Sequence, residues 1–206
     1  MPNHDFFTHL GLFVLKDFLD AEFCAKYLSE ARSATVAPVQ ILQRSGTKSI
    51  NLIRDESQRR TERIKVFAST ESFIEARLLA IKPMLESHFN LVLTGCQTPL
   101  FYVYKERGFF GLHRDSIPEP EAPKVAHERR VSAIIFLNST TEEPRRDCYG
   151  GGSLTLYGLI DDPRWKPYGF PFIGEPGLLL AFPSDVFHEV KPVTYGQRYT
   201  IVSWFF

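Results

Sequence analysis

The chain has 206 residues, a length that suits one large β domain better than two very small ones. Its 24 lysines and arginines balance 24 aspartates and glutamates, which argues against binding to nucleic acid or an anionic membrane through bulk charge. Its three cysteines, Cys24, Cys96 and Cys148, lie far apart, which argues against a disulfide framework and a cysteine-rich zinc site.

The N-terminal segment does not have the pattern of a signal peptide, because Asp5, His9, Lys16 and Asp17 interrupt its apolar residues. The sequence also contains no run of 18 apolar residues that would predict a membrane span. The default expectation is therefore a soluble protein of the reducing cytoplasm, without a membrane partner. The sequence leaves the oligomeric state open.

In chain order, the first half mixes short strands with helices. Residues 11–18 form an apolar run typical of a strand, and Asp20 is the predicted N-cap of a helix that ends near Ala31. Residues 39–42 and 51–53 have the apolar, β-branched character of two further short strands.

The charged stretch 54–63 is interpreted as a solvated loop or hairpin. A second helix is predicted from about Thr70 to Phe89, and Pro83 is expected to kink or split it. The expected apolar face of this helix consists of Ile74, Leu78, Leu79 and residues 81–85.

After residue 96, short apolar runs alternate with loops rich in glycine and proline, which predicts a sandwich or small barrel. We expect one domain, in which residues 1–95 form a helical or mixed support region around a β core of residues 96–206. Two long loops, 116–129 and 139–151, are expected at the mouth of this core. The predicted strands are 99–104, 131–138, 152–158, 177–182 and 198–206.

A candidate metal site begins with His113 and Asp115, because residues two apart on a strand point to the same face. Such a pair is common by chance, but His188 from a later strand would supply a second imidazole. Two histidines and one carboxylate form the facial triad of non-haem Fe(II) oxygenases, which leaves coordination positions open. A 2-oxo acid would occupy two of these positions and O₂ the third.

Arg198 is the candidate anchor for the far carboxylate of 2-oxoglutarate, since a guanidinium can bind a carboxylate through two parallel hydrogen bonds. It shares one face of the last strand with Thr200 and Trp204, and both faces of that strand carry apolar residues. A buried arginine there requires an anionic partner. Taken singly, His188 could be an ordinary core or loop histidine and Arg198 could open a strand after a turn; the order of all these residues together favours the metal site.

These motifs resemble the iron- and 2-oxoglutarate-dependent dioxygenase superfamily, specifically its prolyl 4-hydroxylase-like branch. The resemblance covers residues 99–206 and implies a mainly β double-stranded β-helix, of jelly-roll or cupin-like type, with flanking N-terminal support helices. It rests on four segments in the family's order, YKERGFFGLHRD (104–115), RRVSAIIFLN (129–138), YGGGSLTLY (149–157) and HEVKPVTYGQRYTIVSWF (188–205).

The resemblance also assigns roles to residues. It implies that the metal ligands are His113, Asp115 and His188, and that Arg198 and Thr200 hold 2-oxoglutarate.

Three further positions are matched with alternatives. Tyr104 matches a tyrosine that reaches the co-substrate, although it could be a core residue and Tyr102 could be the true counterpart. Trp204 matches a substrate-side aromatic near the metal, with plain core packing as the alternative. Arg129 matches a substrate-side arginine, but we expect a solvated strand start there. Phe136 replaces a tyrosine of several prolyl hydroxylases, which argues against the oxygen-sensing group.

The implied function is hydroxylation of a C–H bond with Fe(II), 2-oxoglutarate and O₂, with succinate and CO₂ as co-products and ascorbate as an optional addition. Peptidyl proline is the leading substrate by resemblance, and a free amino acid or another small molecule is nearly as well supported. A nucleic-acid demethylase is disfavoured, because residues 199–206 carry no second basic group after the anchor arginine. A non-catalytic sensor or partner module that binds iron or 2-oxoglutarate is the alternative from another class.

Overall fold

The computed structural model describes residues 4–45, 49–53, 55–117 and 123–206. Among the residues it describes, no helix is both long enough and apolar enough to cross a membrane. The helices are α1 (His4–His9), α2 (Ala21–Ser33), α3 (Ala68–Phe89) and α4 (Lys124–His127). The strands are β1 (Phe13–Leu15), β2 (Val36–Pro38), β3 (Ile41–Ser45), β4 (Ser49–Ile53), β5 (Arg59–Arg60), β6 (Glu62–Ile64), β7 (Leu100–Tyr104), β8 (Phe109–His113), β9 (Val131–Phe136), β10 (Tyr149–Gly151), β11 (Leu154–Tyr157), β12 (Gly169–Phe172), β13 (Leu179–Pro183), β14 (His188–Val190), β15 (Val193–Gly196) and β16 (Arg198–Phe205).

Two larger sheets form the core of the fold. The main sheet has the strand order β1-β13-β9-β16-β7-β6-β2, and the minor sheet has the order β12-β11-β14-β8-β5. All the pairings in both sheets are antiparallel. The remaining strands form two antiparallel two-stranded sheets, β10-β15 and β3-β4. The mainly β architecture with N-terminal helices is confirmed as a double-stranded β-helix.

The main sheet separates two apolar clusters, because its side chains alternate between its faces. On the outer face, residues such as Tyr199 and Ile201 of β16 pack with Leu78 of α3 and Tyr27 of α2. The inner face packs against the minor sheet in a second cluster, represented by Ile134, Tyr104, Leu154, Phe172 and Val190. Helices α2 and α3 therefore support the main sheet from outside, as expected, whereas Phe7 of α1 packs against the inner cluster. The site lies between the two sheets.

Helix α2 begins where the sequence predicts, because the Asp20 carboxylate accepts a hydrogen bond of 2.7 Å from the backbone N–H of Phe23. Helix α3 differs from its prediction in two respects. It continues unbroken through Pro83, so the expected split is wrong, and Leu79, Pro83 and Met84 are exposed rather than part of the apolar face.

The five strands predicted after residue 96 are all present, as β7, β9, β11, β13 and β16. The solvated-loop interpretation of 54–63 is wrong for its second half, because Arg59–Arg60 pairs with β8 and Glu62–Ile64 pairs with β7. Arg54 lies outside the described residues, as do residues 118–122 of the first predicted loop. Strands from before residue 96 thus belong to both larger sheets.

Candidate metal centre

The two candidate histidines face each other across adjacent strands of the minor sheet. β8 and β14 pair antiparallel with His113 directly opposite His188, and their ring centroids are 4.2 Å apart. Asp115 lies two residues beyond the end of β8, in a bend. This bend, and not the alternation of side chains along a strand, brings its carboxylate to His113. The backbone N–H of Asp115 donates to the carbonyl of Ser184, which fixes this bend.

Potential ligand atoms of His113, Asp115 and His188 all lie within 4.8 Å of one another. The Nε2 atoms of His113 and His188 are 3.7 and 3.6 Å from the two carboxylate oxygens of Asp115. Neighbouring ligands about 2.1 Å from one metal ion are roughly 3 Å apart, so a small contraction brings these atoms to metal-binding distance. The cluster therefore fits a divalent metal with two imidazoles and one carboxylate.

The backbone holds both imidazoles in the form that a metal requires. The Nδ1 atom of His113 is 2.8 Å from the carbonyl oxygen of Gly111, and that of His188 is 2.9 Å from the carbonyl of Val186. A carbonyl only accepts, so the proton of each neutral ring lies on Nδ1 and the lone pair of Nε2 points at the centre of the cluster. This tautomer is the ligand form of histidine at a metal site.

The carboxylate of Asp115 is held in its ionised form. Burial alone would raise its pKa, but the nearby imidazoles of His188 and His113, together with hydrogen bonds, lower the pKa to about 2. The hydroxyl of Ser132 donates to Oδ2 at 2.7 Å and adds to this effect. The buried indole N–H of Trp204 also stabilises the carboxylate, although it lies outside standard hydrogen-bond geometry.

Burial and the neighbouring His188 together lower the pKa of His113 to about 3, although Asp115 opposes both effects. The ring is therefore neutral at physiological pH. A neutral imidazole has no proton to lose when a metal binds to Nε2.

The metal cluster opens into a cavity of about 880 Å³ between the two sheets. Tyr102, Tyr104, Arg129 and Trp204 line it, as their predicted roles at the site require. Tyr102 and Tyr104 share the inner face of β7 and both line the cavity, so both are candidates for the tyrosine that reaches the co-substrate.

Arg198 is buried beside this cavity rather than on its wall. It is 1% exposed, pairs with Tyr104 across β16 and β7, and lies 5.2 Å from the centroid of the Tyr104 ring and 5.4 Å from that of Phe136. Its Nη1 is 3.5 Å from the hydroxyl of Thr200, whereas Nε and Nη2 have no hydrogen-bond partner among the described residues. A buried cation with two unsatisfied donors fits a site for a carboxylate ligand.

Arg129 does not lie in solvent, so the expected solvated strand start is wrong. Its guanidinium carbon is 3.6 Å from the centroid of the Trp204 ring, and its nitrogens donate to the Gln97 side chain and to the backbone carbonyl of Asp115. Trp204 is therefore part of the pocket and also the surface on which Arg129 stacks.

Arg59 lines the same cavity and was missed as a site residue by sequence reasoning. Its guanidinium carbon lies 4.7 Å from the ring centroid of Tyr102 and 4.2 Å from that of Phe110, and the Phe110 ring in turn stacks on His113. The only signal in the sequence around Arg59 is its high content of charged residues. This signal does not predict that β5 pairs with β8. Ser132 was missed for the same reason, since only the packing of the two sheets brings it to Asp115.

Comparison with known proteins identifies the family. The profile described as the 2OG-Fe(II) oxygenase superfamily matches residues 99–206. A PKHD-type hydroxylase of Pseudomonas putida (strain W619) is 29% identical over 107 residues, which are 52% of this chain and 42% of that protein. A PKHD-type hydroxylase of Bordetella pertussis is 34% identical over 109 residues, also 42% of its length. The chain thus matches less than half the length of these curated relatives.

Solved structures show the same fold across nearly the whole chain. A prolyl-4-hydroxylase from Pseudomonas putida aligns with a TM-score of 0.65 at 20% identity, over 98% of this chain and 95% of that one. A prolyl hydroxylase from Trichoplax adhaerens, in complex with a hypoxia inducible factor oxygen degradation domain peptide fragment, aligns with a TM-score of 0.66 at 20% identity, over 98% and 86% of the two chains.

Proposed function

Since the chain belongs to the 2OG-Fe(II) oxygenase superfamily, we propose that it is an Fe(II)- and 2-oxoglutarate-dependent dioxygenase that hydroxylates a C–H bond of its substrate. The observation that carries this proposal is the convergence of His113, Asp115 and His188 on one point, with both Nδ1 atoms tied to backbone carbonyls. When bound, Fe(II) and 2-oxoglutarate supply the oxidising chemistry with O₂ and release succinate and CO₂.

The residues of the chain have three roles in this proposal. His113, Asp115 and His188 would hold the metal at the wall of the cavity. Arg198, with Thr200, receives the far carboxylate of 2-oxoglutarate, which would satisfy the two buried donors. Tyr104 and the apolar inner faces of the sheets exclude water from this part of the site.

We propose that the substrate is a peptide containing proline or a small molecule bound in the cavity of about 880 Å³. The peptide alternative is supported by the fold shared with a prolyl hydroxylase that was solved with a peptide fragment. Localisation in the reducing cytoplasm is part of the proposal, and the free thiols of Cys24, Cys96 and Cys148 are compatible with it.

The test is uncoupled turnover, measured as succinate formed from Fe(II), 2-oxoglutarate and O₂ by the purified protein. We expect slow succinate release by the natural sequence and a loss of at least about a hundredfold in His113→Ala and Asp115→Ala, because each removes a metal ligand. His127→Ala is the matched control, since His127 is exposed and does not line the cavity.

Near-normal turnover in either ligand variant would refute the metal assignment. No succinate from the natural protein, together with tight binding of metal and 2-oxoglutarate, would identify it instead as a non-catalytic binding module. If the protein does release succinate, a mass-spectrometric search for products that gain one oxygen atom would identify its substrate.

A further inference from the structure

The cavity of the proposed metal centre carries more positive charge than the proposed reaction requires. Asp115 is the one acidic residue on its wall in the part of the chain that the structure describes, and this carboxylate is committed to the metal. A divalent metal and doubly charged 2-oxoglutarate cancel each other, so excess positive charge remains where the substrate must lie. The arginines on the wall are Arg59, Arg63, Arg114 and Arg129.

Arg59 is the best placed of these to bind a ligand. Its guanidinium carbon lies over the ring of Tyr102 and over the ring of Phe110, and these two rings hold the group at the wall of the cavity. Its Nε is buried without a hydrogen-bond partner among the described residues. A buried N–H without a partner is costly, and a ligand that accepts from it removes this cost.

The position of Arg59 is tied to the metal centre. Phe110, whose ring centroid is 4.2 Å from the guanidinium carbon of Arg59, stacks on the ring of His113 with 3.5 Å between the ring centroids. The backbone also fixes the arrangement, because Arg59 pairs with Phe110 in the ladder between β5 and β8. A group held by Arg59 therefore lies close to the metal-facing part of the cavity.

Arg129 supplies a second positive charge in the same space. Arg59 and Arg129 both lie on the wall of this cavity, so their charges act on the same space. Arg129 already donates to Gln97 and to the carbonyl of Asp115, so its hydrogen bonds fix its own position. A negative charge between or beside the two arginines would relieve their mutual repulsion.

We propose that Arg59, assisted by the charge of Arg129, binds a carboxylate of the substrate. This inference rests on the proposed function and narrows its substrate class to anionic molecules. The planar set of N–H donors of a guanidinium matches a planar carboxylate. The carboxylate could belong to a free amino acid or to an acidic residue of a peptide.

Calorimetric titration of the full chain, loaded with Mn(II) and saturating 2-oxoglutarate without oxygen, tests this directly, because no turnover is needed. The probes are matched pairs that differ in one charge: L-proline against L-prolinamide, and the acetylated, amidated tripeptide Ala-Pro-Glu against Ala-Pro-Gln. We expect the acid of at least one pair to bind about tenfold or more tightly than its amide. The pair that shows this preference identifies the source of the carboxylate.

Arg59→Gln should abolish the preference for the acid, and Arg59→Lys should retain part of it, because lysine keeps the charge but loses the planar fork. Arg60→Gln is the matched control, since Arg60 follows on the same short strand, is exposed and does not line this cavity. Circular dichroism and the binding of 2-oxoglutarate establish that each variant is folded.

The inference is overturned if acids and amides bind equally, if no carboxylate probe binds up to tens of millimolar, or if Arg59→Gln and Arg60→Gln behave alike. These outcomes differ from failure of the proposed function. A protein that makes succinate with Fe(II) but shows no preference for acids keeps the function and loses the anion site. A protein that prefers acids but makes no succinate keeps the anion site and loses the function.

Discussion

The permanently charged side chain of Arg198 is buried, and only 1% of the residue is exposed to solvent. Its face of β16 also carries Thr200 and Trp204, while Tyr199 and Ile201 point into the outer cluster, as the alternation of the strand predicts. Two guanidinium nitrogens remain unsatisfied in the described structure. A buried arginine in this condition is stabilised when an anion binds, which is the physical reason for assigning 2-oxoglutarate to it.

We therefore predict that Arg198→Ala raises the 2-oxoglutarate concentration needed for half-maximal uncoupled turnover by about a hundredfold, because a charge-assisted, two-point hydrogen bond is lost. Arg198→Lys should recover part of this loss, since it restores the charge without the planar fork. Steady-state succinate release at varied 2-oxoglutarate measures the effect. An unchanged requirement in Arg198→Ala would disprove the anchor role.

Helix α3 shows how an element can tolerate a proline that its sequence predicts to be disruptive. Pro83 cannot donate a backbone hydrogen bond to the carbonyl of Leu79, four residues earlier. Both residues are exposed, so this carbonyl lies on the solvent side, where water can satisfy it. The buried side of the helix, with Leu78 and Ile81, is continuous. The position of the proline on the helix surface therefore decides its effect.

The same helix offers a matched pair of leucines for a stability test. Leu78 is 0% exposed in the outer cluster and Leu79 is 43% exposed. Leu78→Ala should lower the free energy of unfolding by about 2–5 kcal/mol through the cavity it leaves, and Leu79→Ala by less than about 0.5 kcal/mol. Urea unfolding followed by circular dichroism compares them. Similar losses in the two variants would contradict the orientation of α3 against the main sheet.

At the scale of the whole molecule, the site exists only where the two larger sheets meet. The minor sheet supplies His113 and His188, and the main sheet supplies Ser132, Trp204 and Arg198. A ligand that bridges these groups binds the folded chain and not the unfolded chain. Binding should therefore stabilise both sheets together.

Mn(II) with 2-oxoglutarate at about 100 Kd should stabilise the protein by about 2.7 kcal/mol. For a chain of this size that corresponds to a rise in Tm of roughly 5–10 °C. A chelator should reverse the rise, and Asp115→Ala should not show it. Differential scanning calorimetry provides the measurement. A Tm that is insensitive to the metal in the natural protein would refute the metal centre independently of any activity.

The sequence by itself determined the elements whose signals are local. The Asp20 cap, the alternation along β16 and the apolar runs after residue 96 each depend on neighbours in the chain, and all are found in the structure. The ordered motif of His113, Asp115 and His188 also predicted which side chains converge, although Asp115 reaches the cluster from the bend after β8 and not from the strand itself.

Only the tertiary structure decided the surroundings of that motif. The guanidinium of Arg59 is enclosed because β5 pairs with β8, about fifty residues away in sequence, and charge patterning around Arg59 indicates only a solvated loop. Arg129 was expected in solvent for the same reason, yet it stacks on Trp204 from the last strand. Burial of a charge depends on partners brought together by strand pairing, and a local pattern does not contain that information.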